Sequence, residues 1–441
     1  MLLYFTIQNS RSFEQAATLS LIAGQGNELP QNIQKIESYD FTLLKSAILY
    51  GANASGKTNF LKALADGTQI IKFGLLNTIG DTFEDTPTES VKARFYPNKN
   101  KELNLHQPSE YRYGVLLNGQ KYEYRFSVND VRIVEERLIR YDADRKYPTT
   151  LFVRLFDGAQ YNWSFADGLK TPQAEIFRSI QLSTTKTKLW ISEVERFSED
   201  YEALLPEIRA ITHFLTKQLV VFIHSDNPDK MDLIPTLLMI YKNKELKAHF
   251  MKIIKLADFK IQDIDVTIKE KKDTLKIRAR TIHKGYDPLG IEKTVYYDLQ
   301  TENSQGTNRF IAWLAPFFDA LIHNKVLIID EFGNSMHPAI TQLLIQLFHD
   351  TRRNAQIIFS THYTELMDET LFRTDQIWLV NKDTKGNSTL EALSNYEIPA
   401  QFYLDRLYRN GLFRGRPFVT EHEIQKVKKV IPIHSVKKLN A

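Results

Sequence analysis

The segment SAILYGANASGKT at 46–58 constrains this chain more than any other. Residues 46–50 form a short apolar run, which reads as a buried strand. The next eight, GANASGKT, have the spacing of a phosphate-binding loop. The stretch NFLKALADGTQIIKFG then places Phe60, Leu61, Leu64 and Ile71 at helical spacing. Strand, glycine-rich loop and helix is the context such a loop requires. Gly51 and Gly56 have no Cβ, so the backbone can wrap closely round an anion. The amides of 54–58 are expected to face phosphates at the positive end of the helix. The phosphate-binding set is then Gly51, Asn53, Ala54, Ser55, Gly56, Lys57, Thr58 and Asn59. Lys57 is expected to reach the β- and γ-phosphates of a nucleoside triphosphate, and the Thr58 hydroxyl to bind Mg²⁺.

Three later segments fit the same chemistry. VLIIDEF at 326–332 is an apolar strand ending in two acids. In an open parallel sheet, ligands sit at such strand ends. Asp330 is expected to hold Mg²⁺ through water, and Glu331 to polarise the attacking water as general base. FSTHY at 359–363 ends another apolar strand, so His362 is expected one strand over, at the γ-phosphate. TENSQGTNRF at 301–310 places Ser304 and Gly306 before a helix, and by itself this reads as a helix cap.

The chain has 441 residues, too many for one compact core, so two or three lobes are expected. Its net charge of +4 neither demands nor excludes nucleic acid. The lack of cysteine excludes disulfides and thiolate metal sites and fits a reducing cytoplasm. No apolar run approaches the roughly 20 residues of a membrane-spanning helix. The start, MLLYFTIQNSRSF, alternates like a strand and does not read as a signal peptide.

Four regions are expected. Residues 1–171 form an N-terminal lobe with the phosphate loop and an antiparallel meander, marked by the Asn118-Gly119 turn. Residues 172–258 carry helical periodicity and read as a helical lobe. Residues 259–396 open with strands and continue as an α/β lobe. Residues 397–441 form a last helix and a basic tail, where Arg406, Arg409, Arg414 and Arg416 lie among Tyr403, Tyr408 and Phe413. The fold class is α/β: an antiparallel β layer, a mainly parallel sheet and an inserted helical lobe.

The ordered set GANASGKT, ENSQGT, VLIIDEF, SMHP and STH resembles the ABC-type ATPases of the SMC, RecF and OLD group. The resemblance implies ATP as substrate and Mg²⁺ as cofactor. It also implies that Ser304, Gln305, Gly306 and Thr307 act in trans, completing the site of a second copy, so a homodimer or higher homo-oligomer is expected. IQNSRSF resembles the group's opening strand, with Ser10 where Phe is usual. Ser335-Met336-His337-Pro338 departs from the usual Ser-x-Leu-Asp. A Q-loop glutamine and long coiled-coil arms are not visible.

A narrower resemblance rests on PSEYRYGVLLNGQKYEYRF, VEERL and RLYRNGLFRGRP. These are similar to the prokaryotic RloA/AriA-like ATPases of PARIS-type anti-phage defence. That resemblance implies a cytoplasmic sensor and scaffold that restrains a partner effector, a Toprim-like nuclease encoded nearby, until a phage protein triggers release. The alternative is a RecF/SMC-like repair ATPase that clamps DNA directly.

Overall fold

The computed structural model describes residues 1–75, 95–166, 174–197, 206–223, 233–258, 260–271, 274–334, 336–398 and 403–413. Along the chain, β1 (Leu2–Gln8) and β2 (Ala17–Ser20) are followed by the small pair β3 (Ile33–Lys35) and β4 (Thr42–Leu44). β5 (Ser46–Tyr50) enters the glycine-rich loop and α1 (Lys57–Phe73). A short α2 (Glu102–His106) precedes the meander β6 (Ser109–Leu117), β7 (Gln120–Val128), β8 (Ile133–Tyr141), β9 (Thr149–Phe156) and β10 (Tyr161–Phe165). Helices α3 (Ala174–Ser183), α4 (Trp190–Phe197) and α5 (Pro206–His213) lead to β11 (Leu219–Phe222). Then come α6 (Ile234–Lys242), α7 (Lys244–Ala257), β12 (Ile261–Lys271), β13 (Thr274–Tyr286) and β14 (Glu292–Asp298). The chain continues through α8 (Gln305–His323), β15 (Val326–Ile329), α9 (Pro338–Asp350), β16 (Gln356–Ser360), β17 (Ile377–Lys382), β18 (Ser388–Ala392) and α10 (Leu404–Arg409).

The fold is mixed α/β. A seven-stranded antiparallel sheet has the order β10-β9-β8-β7-β6-β1-β2, and a six-stranded sheet has the order β11-β15-β16-β5-β17-β18. The second is parallel except at β18. Its strands are apolar nearly throughout because both faces are covered. In β5, Ala47 and Leu49 join one core with Phe60 and Leu61 of α1 and the antiparallel sheet. Ile48 and Tyr50 join the other, with Leu327, Ile329 and Phe359, beneath the later helices. Alternation along a single strand therefore feeds two cores. Helix α1 lies between the sheets, where Phe60 meets Phe5 edge-on at 5.6 Å and Phe13 at 5.7 Å.

The stretch 172–258 is not purely helical. After α5 a π-helical turn, Phe214–Gln218, gives way to β11, which pairs parallel with β15 and forms the outer edge of the central sheet. Val220 and Val221 explain the switch, since β-branched side chains suit a pleated strand. Four residues are too few for period to reveal a strand beside long helices. In the last region, Tyr408 and Phe413 are buried in the core under α10. Arg409 pairs with Asp405, and Arg406 stacks over Tyr403 at 5.1 Å. Arg414, Arg416 and the basic tail lie outside the described residues.

Two buried polar groups join the layers. Gln356 accepts from Leu2 N at 2.8 Å and donates to Leu2 O and Leu44 O at 3.0 Å, tying β16 to β1 and β4. Glu136 of β8 accepts from Trp190 N at 2.7 Å and Ile191 N at 3.1 Å, so it caps the start of α4. Burial pushes its carboxyl up, against the opposing pull of Arg154. Arg154 is itself fully buried and donates to Lys188 O and Thr185 O. Glu136→Ala would leave Arg154 without its charge partner and two amides without acceptors. The expected loss is roughly 3–5 kcal/mol, read as a lower midpoint in urea unfolding with unchanged slope.

Candidate nucleotide-binding site

The parallel register brings three strand ends to one edge. β5 pairs with β16 through Ser360↔Leu49, and β15 with β16 through Ile329↔Phe359. The next residues of each strand are the glycine-rich loop, Asp330-Glu331 and Thr361-His362. Sequence neighbours separated by some 300 positions thus become spatial neighbours.

The loop is shaped from below by residues that sequence reasoning did not single out. Ser388 Oγ donates to Ser55 O at 2.6 Å and lies 2.8 Å from Ser12 Oγ, which also accepts from Asn59 Nδ2 at 3.0 Å. Ser12 and Ser388 come from opposite ends of the chain; Ser12 lies within the IQNSRSF segment, and no local pattern marks Ser388. Gly56 has φ +120°, and a Cβ there would stand 2.3 Å from Ser388 Oγ. Ala54 also has positive φ, 63°. Alternating hands of this kind turn successive amides toward one concavity, an anion nest. Asn53 and Ala54 are exposed at the crest of the loop. Ser55 Oγ is buried and has no hydrogen-bond partner among the described residues.

Lys57 is buried at the start of α1, and its Nζ donates to Gly51 O at 2.7 Å and Ala52 O at 3.1 Å. Burial brings its pKa down to about 8, while Asp330 and Glu331 oppose the shift. His362 is held below the usual imidazole range by desolvation and by Lys57, and the same two acids oppose that shift. Lys57, Asp330, Glu331 and His362 therefore lie in one another's fields. Thr58 stands half-buried in the first turn of α1.

Ser360 fixes the acid pair. Its Oγ donates to Asp330 Oδ1 at 2.6 Å and accepts from Glu331 N at 2.8 Å. Its carbonyl accepts from Phe332 N at 2.8 Å. Glu331 has φ +53°, a strained state for a residue with a side chain. Asn334 Nδ2 donates to Glu331 Oε2 at 2.9 Å and sets the direction of that carboxylate. Ser360 lay inside the FSTHY motif, and Asn334 only three residues beyond Glu331, yet neither type announces its role.

Ser304 and Gly306, in the ENSQGT segment that serves as the signature in the resembled group, lie on a different helix, α8. Ser304 is exposed and caps α8, its Oγ accepting from Thr307 N at 3.1 Å, and Gly306 lies in the first turn. Among the described residues, no hydrogen bond joins Ser304, Gly306 or Thr307 to the loop at 51–58. Ser335 lies outside the described residues. Beside it, Met336 O accepts from Tyr363 OH at 3.1 Å, and His337 Nδ1 accepts from Ala339 N at 3.2 Å to cap α9.

The donor set suits a nucleotide-bound Mg²⁺. Thr58 and Asp330 offer hard oxygens, and Mg²⁺ is usually held by one or two protein groups together with substrate phosphates. Among the described residues, no three His, Cys, Asp or Glu side chains converge as a metal cage, and no helix is long and apolar enough to cross a membrane.

A family model described as "AAA domain, putative AbiEii toxin, Type IV TA system" matches residues 46–368. No curated protein matches the chain. Similar solved structures include an SMC head bound to the C-winged helix domain of ScpA, at 12% identity over 89% of this chain and 97% of that one, with a TM-score of 0.41. The SMC head domain from Thermotoga maritima is 12% identical over 90% and 99%, with a TM-score of 0.36. An Smc head with an extended coiled coil, bound to the C-terminal domain of ScpA and derived from Pyrococcus furiosus, is 10% identical over 89% and 97%, with a TM-score of 0.40.

The nest makes one demand that a stability measurement can read. Gly56→Ala adds a side chain both at unfavourable φ and against Ser388. It is expected to lower stability by about 1–3 kcal/mol. Thermal unfolding at fixed pH checks this, and a melting temperature equal to that of the parent chain would refute the geometry described for Gly56.

Proposed function

The chain belongs to the AAA-domain ATPase family whose model it matches, and from that premise we propose that it is a Mg²⁺-dependent ATPase acting as a nucleotide-gated scaffold between two copies of itself. The observation that carries this reading is the convergence of Lys57, Asp330, Glu331 and His362 at one strand edge, with both acids fixed by one hydroxyl. In this reading the amides of 54–58 and Lys57 bind the phosphates. Thr58 and Asp330 would hold Mg²⁺, which would offset charge on the β- and γ-phosphates. Glu331 takes the proton of the attacking water. The new bond forms from that water oxygen to the γ-phosphorus, the bond to the β,γ-bridging oxygen breaks, and ADP leaves with that electron pair. Asn334 keeps the Glu331 carboxylate directed, Ser360 holds the Glu331 backbone and the Asp330 carboxylate, and His362 contacts the γ-phosphate.

Ser304 and Gly306 lie on the exposed start of a different helix, so they are available to the γ-phosphate bound by a second copy. ATP then joins two subunits and hydrolysis loosens them, a shift between two states set by differential binding. The family's description names an AbiEii toxin of a type IV TA system. Together with the RloA/AriA-like motifs, this supports a defence role in the cytoplasm, in which the ATPase restrains and releases an effector nuclease.

Two outcomes are expected. Glu331→Gln should keep ATP binding, reduce turnover roughly 100-fold or more, and accumulate a dimer in native mass spectra recorded with ATP. Turnover at the parental rate would remove Glu331 as the base. The second outcome follows from Lys57. Below its pKa of about 8 the ammonium attracts phosphate, and above it the charge is lost. ATP affinity should therefore weaken as pH rises through about 8, measured with a fluorescent nucleotide analogue. An unchanged dissociation constant across that interval would count against Lys57 as the phosphate ligand.

A further inference from the structure

The chain's positive charge is unevenly placed. From the start of α7 to the end of β13, 12 Lys and Arg stand against 6 Asp and Glu, although the whole chain has 57 against 53. The remainder therefore carries more acids than bases. Half of that excess lies on α7, and within the sheet β12-β13-β14 it lies on β13, which has 4 Lys and Arg and no acid, while β12 and β14 each carry one more acid than base.

One face of this sheet packs inward, with Ala279 in the same core as Phe250 and Ile254 of α7. The opposite face looks into solvent. Along β13 it presents Lys276, Arg278, Arg280, Lys284 and Tyr286, all exposed. Alternate strand residues recur about every 7 Å, a spacing that a stretched phosphodiester backbone can follow. Lys269 of β12 stands directly opposite Lys276. Like charges in a cross-strand pair weaken the sheet, so this pair costs stability in the absence of an anion. Lys269, Lys276 and Arg278 form no ion pair with a described residue, whereas Arg280 binds Asp265 at 2.8 Å and Lys284 binds Glu292 at 2.9 Å.

Aromatic rings share the face. Tyr286 is 65% exposed and Tyr296 is 50% exposed. Arg280 stacks over Tyr296 at 4.9 Å and holds that ring against the strand. Cations in a row with open rings beside them is the arrangement by which proteins follow a phosphate backbone and stack unpaired bases.

We propose that the solvent face of the β12-β13-β14 sheet binds single-stranded nucleic acid. Lys269, Lys276 and Arg278 meet phosphates, and Tyr286 and Tyr296 stack on bases. The sheet is also joined to the helix α8, from its buried side. Thr281 Oγ1 of β13 and the amide of Asn303 exchange hydrogen bonds at 3.1 and 3.2 Å, and Asn303 directly precedes the cap Ser304. Coupling of this surface to ATP rests on the trans-signature reading above. The surface itself does not.

The test is fluorescence anisotropy of a labelled, mixed-sequence single strand titrated with the full chain, without nucleotide, at several salt concentrations. Salt-sensitive binding is expected. Lys276→Glu with Arg278→Glu should weaken it at least tenfold and flatten the log–log salt slope by about 1.4, from about 0.7 per phosphate contact. Tyr296→Ala should weaken single-strand binding roughly fivefold or more and leave a duplex of the same sequence unaffected. All three positions are exposed, and circular dichroism verifies that the variants fold. Absence of salt-sensitive binding by the parent chain, or charge-reversed variants that bind as it does, overturns the surface. A duplex bound more tightly than the single strand, with Tyr296→Ala silent, overturns the single-strand assignment. Repeating the titration with Glu331→Gln and ATP tests the coupling alone. A changed affinity supports it, and an unchanged one overturns the coupling while leaving the surface in place.

Discussion

The position of β5 between β16 and β17 is the constraint on which the rest depends. β5 carries no functional side chain of its own. Its backbone pairs with strands from the far end of the chain, and that pairing fixes where the glycine-rich loop emerges. Because β15, β16 and β5 run parallel, their ends open on the same side. A ligand at that edge meets amides, acids and an imidazole from three distant segments. The two cores on either face of the sheet hold this geometry, and each strand divides its side chains between them.

Much of this was legible in the sequence, for identifiable reasons. VLII is apolar throughout, and SAILY and QIIFS are apolar apart from the buried polar residues Ser46, Gln356 and Ser360, because both faces are covered, and GANASGKT needs its glycines for close approach. The Asn118-Gly119 turn joins β6 to β7, with both residues at positive φ. Other features were hidden. Ser12 and Ser388 meet only in three dimensions. Asn334 and Ser360 act through single hydrogen bonds that any polar residue could make in principle. β11 is short and follows a helix whose periodicity runs into it. The cationic strand is masked in the sequence because its charges alternate with apolar residues along β13; near Arg406 and Arg409, Tyr408 and Phe413 are core and Tyr403 is exposed.

The site divides into a rigid part and a remote part. The acid pair is over-determined, since one hydroxyl binds both residues and the backbone at Glu331 holds a conformation it would not choose freely. Such strain persists only where surrounding bonds outweigh it. The signature serine, by contrast, is an exposed helix cap whose hydroxyl, among the described residues, bonds within its own helix. On the proposed trans reading, chemistry is prepared within one chain and completed by an encounter with a second copy.

The same parallel pairing has a consequence for synthesis. β5 leaves the ribosome long before its partners, since β16 begins at Gln356 and β17 at Ile377. At about 5–20 residues per second the wait is roughly 15–60 s. The meander β6 to β10 is built from neighbouring hairpins and can form meanwhile, but SAILY has no sheet to enter. During that interval a five-residue apolar strand has both of its edges open, the condition under which nascent chains associate wrongly. The nucleotide loop, first in sequence among the functional segments, is among the last to acquire its shape.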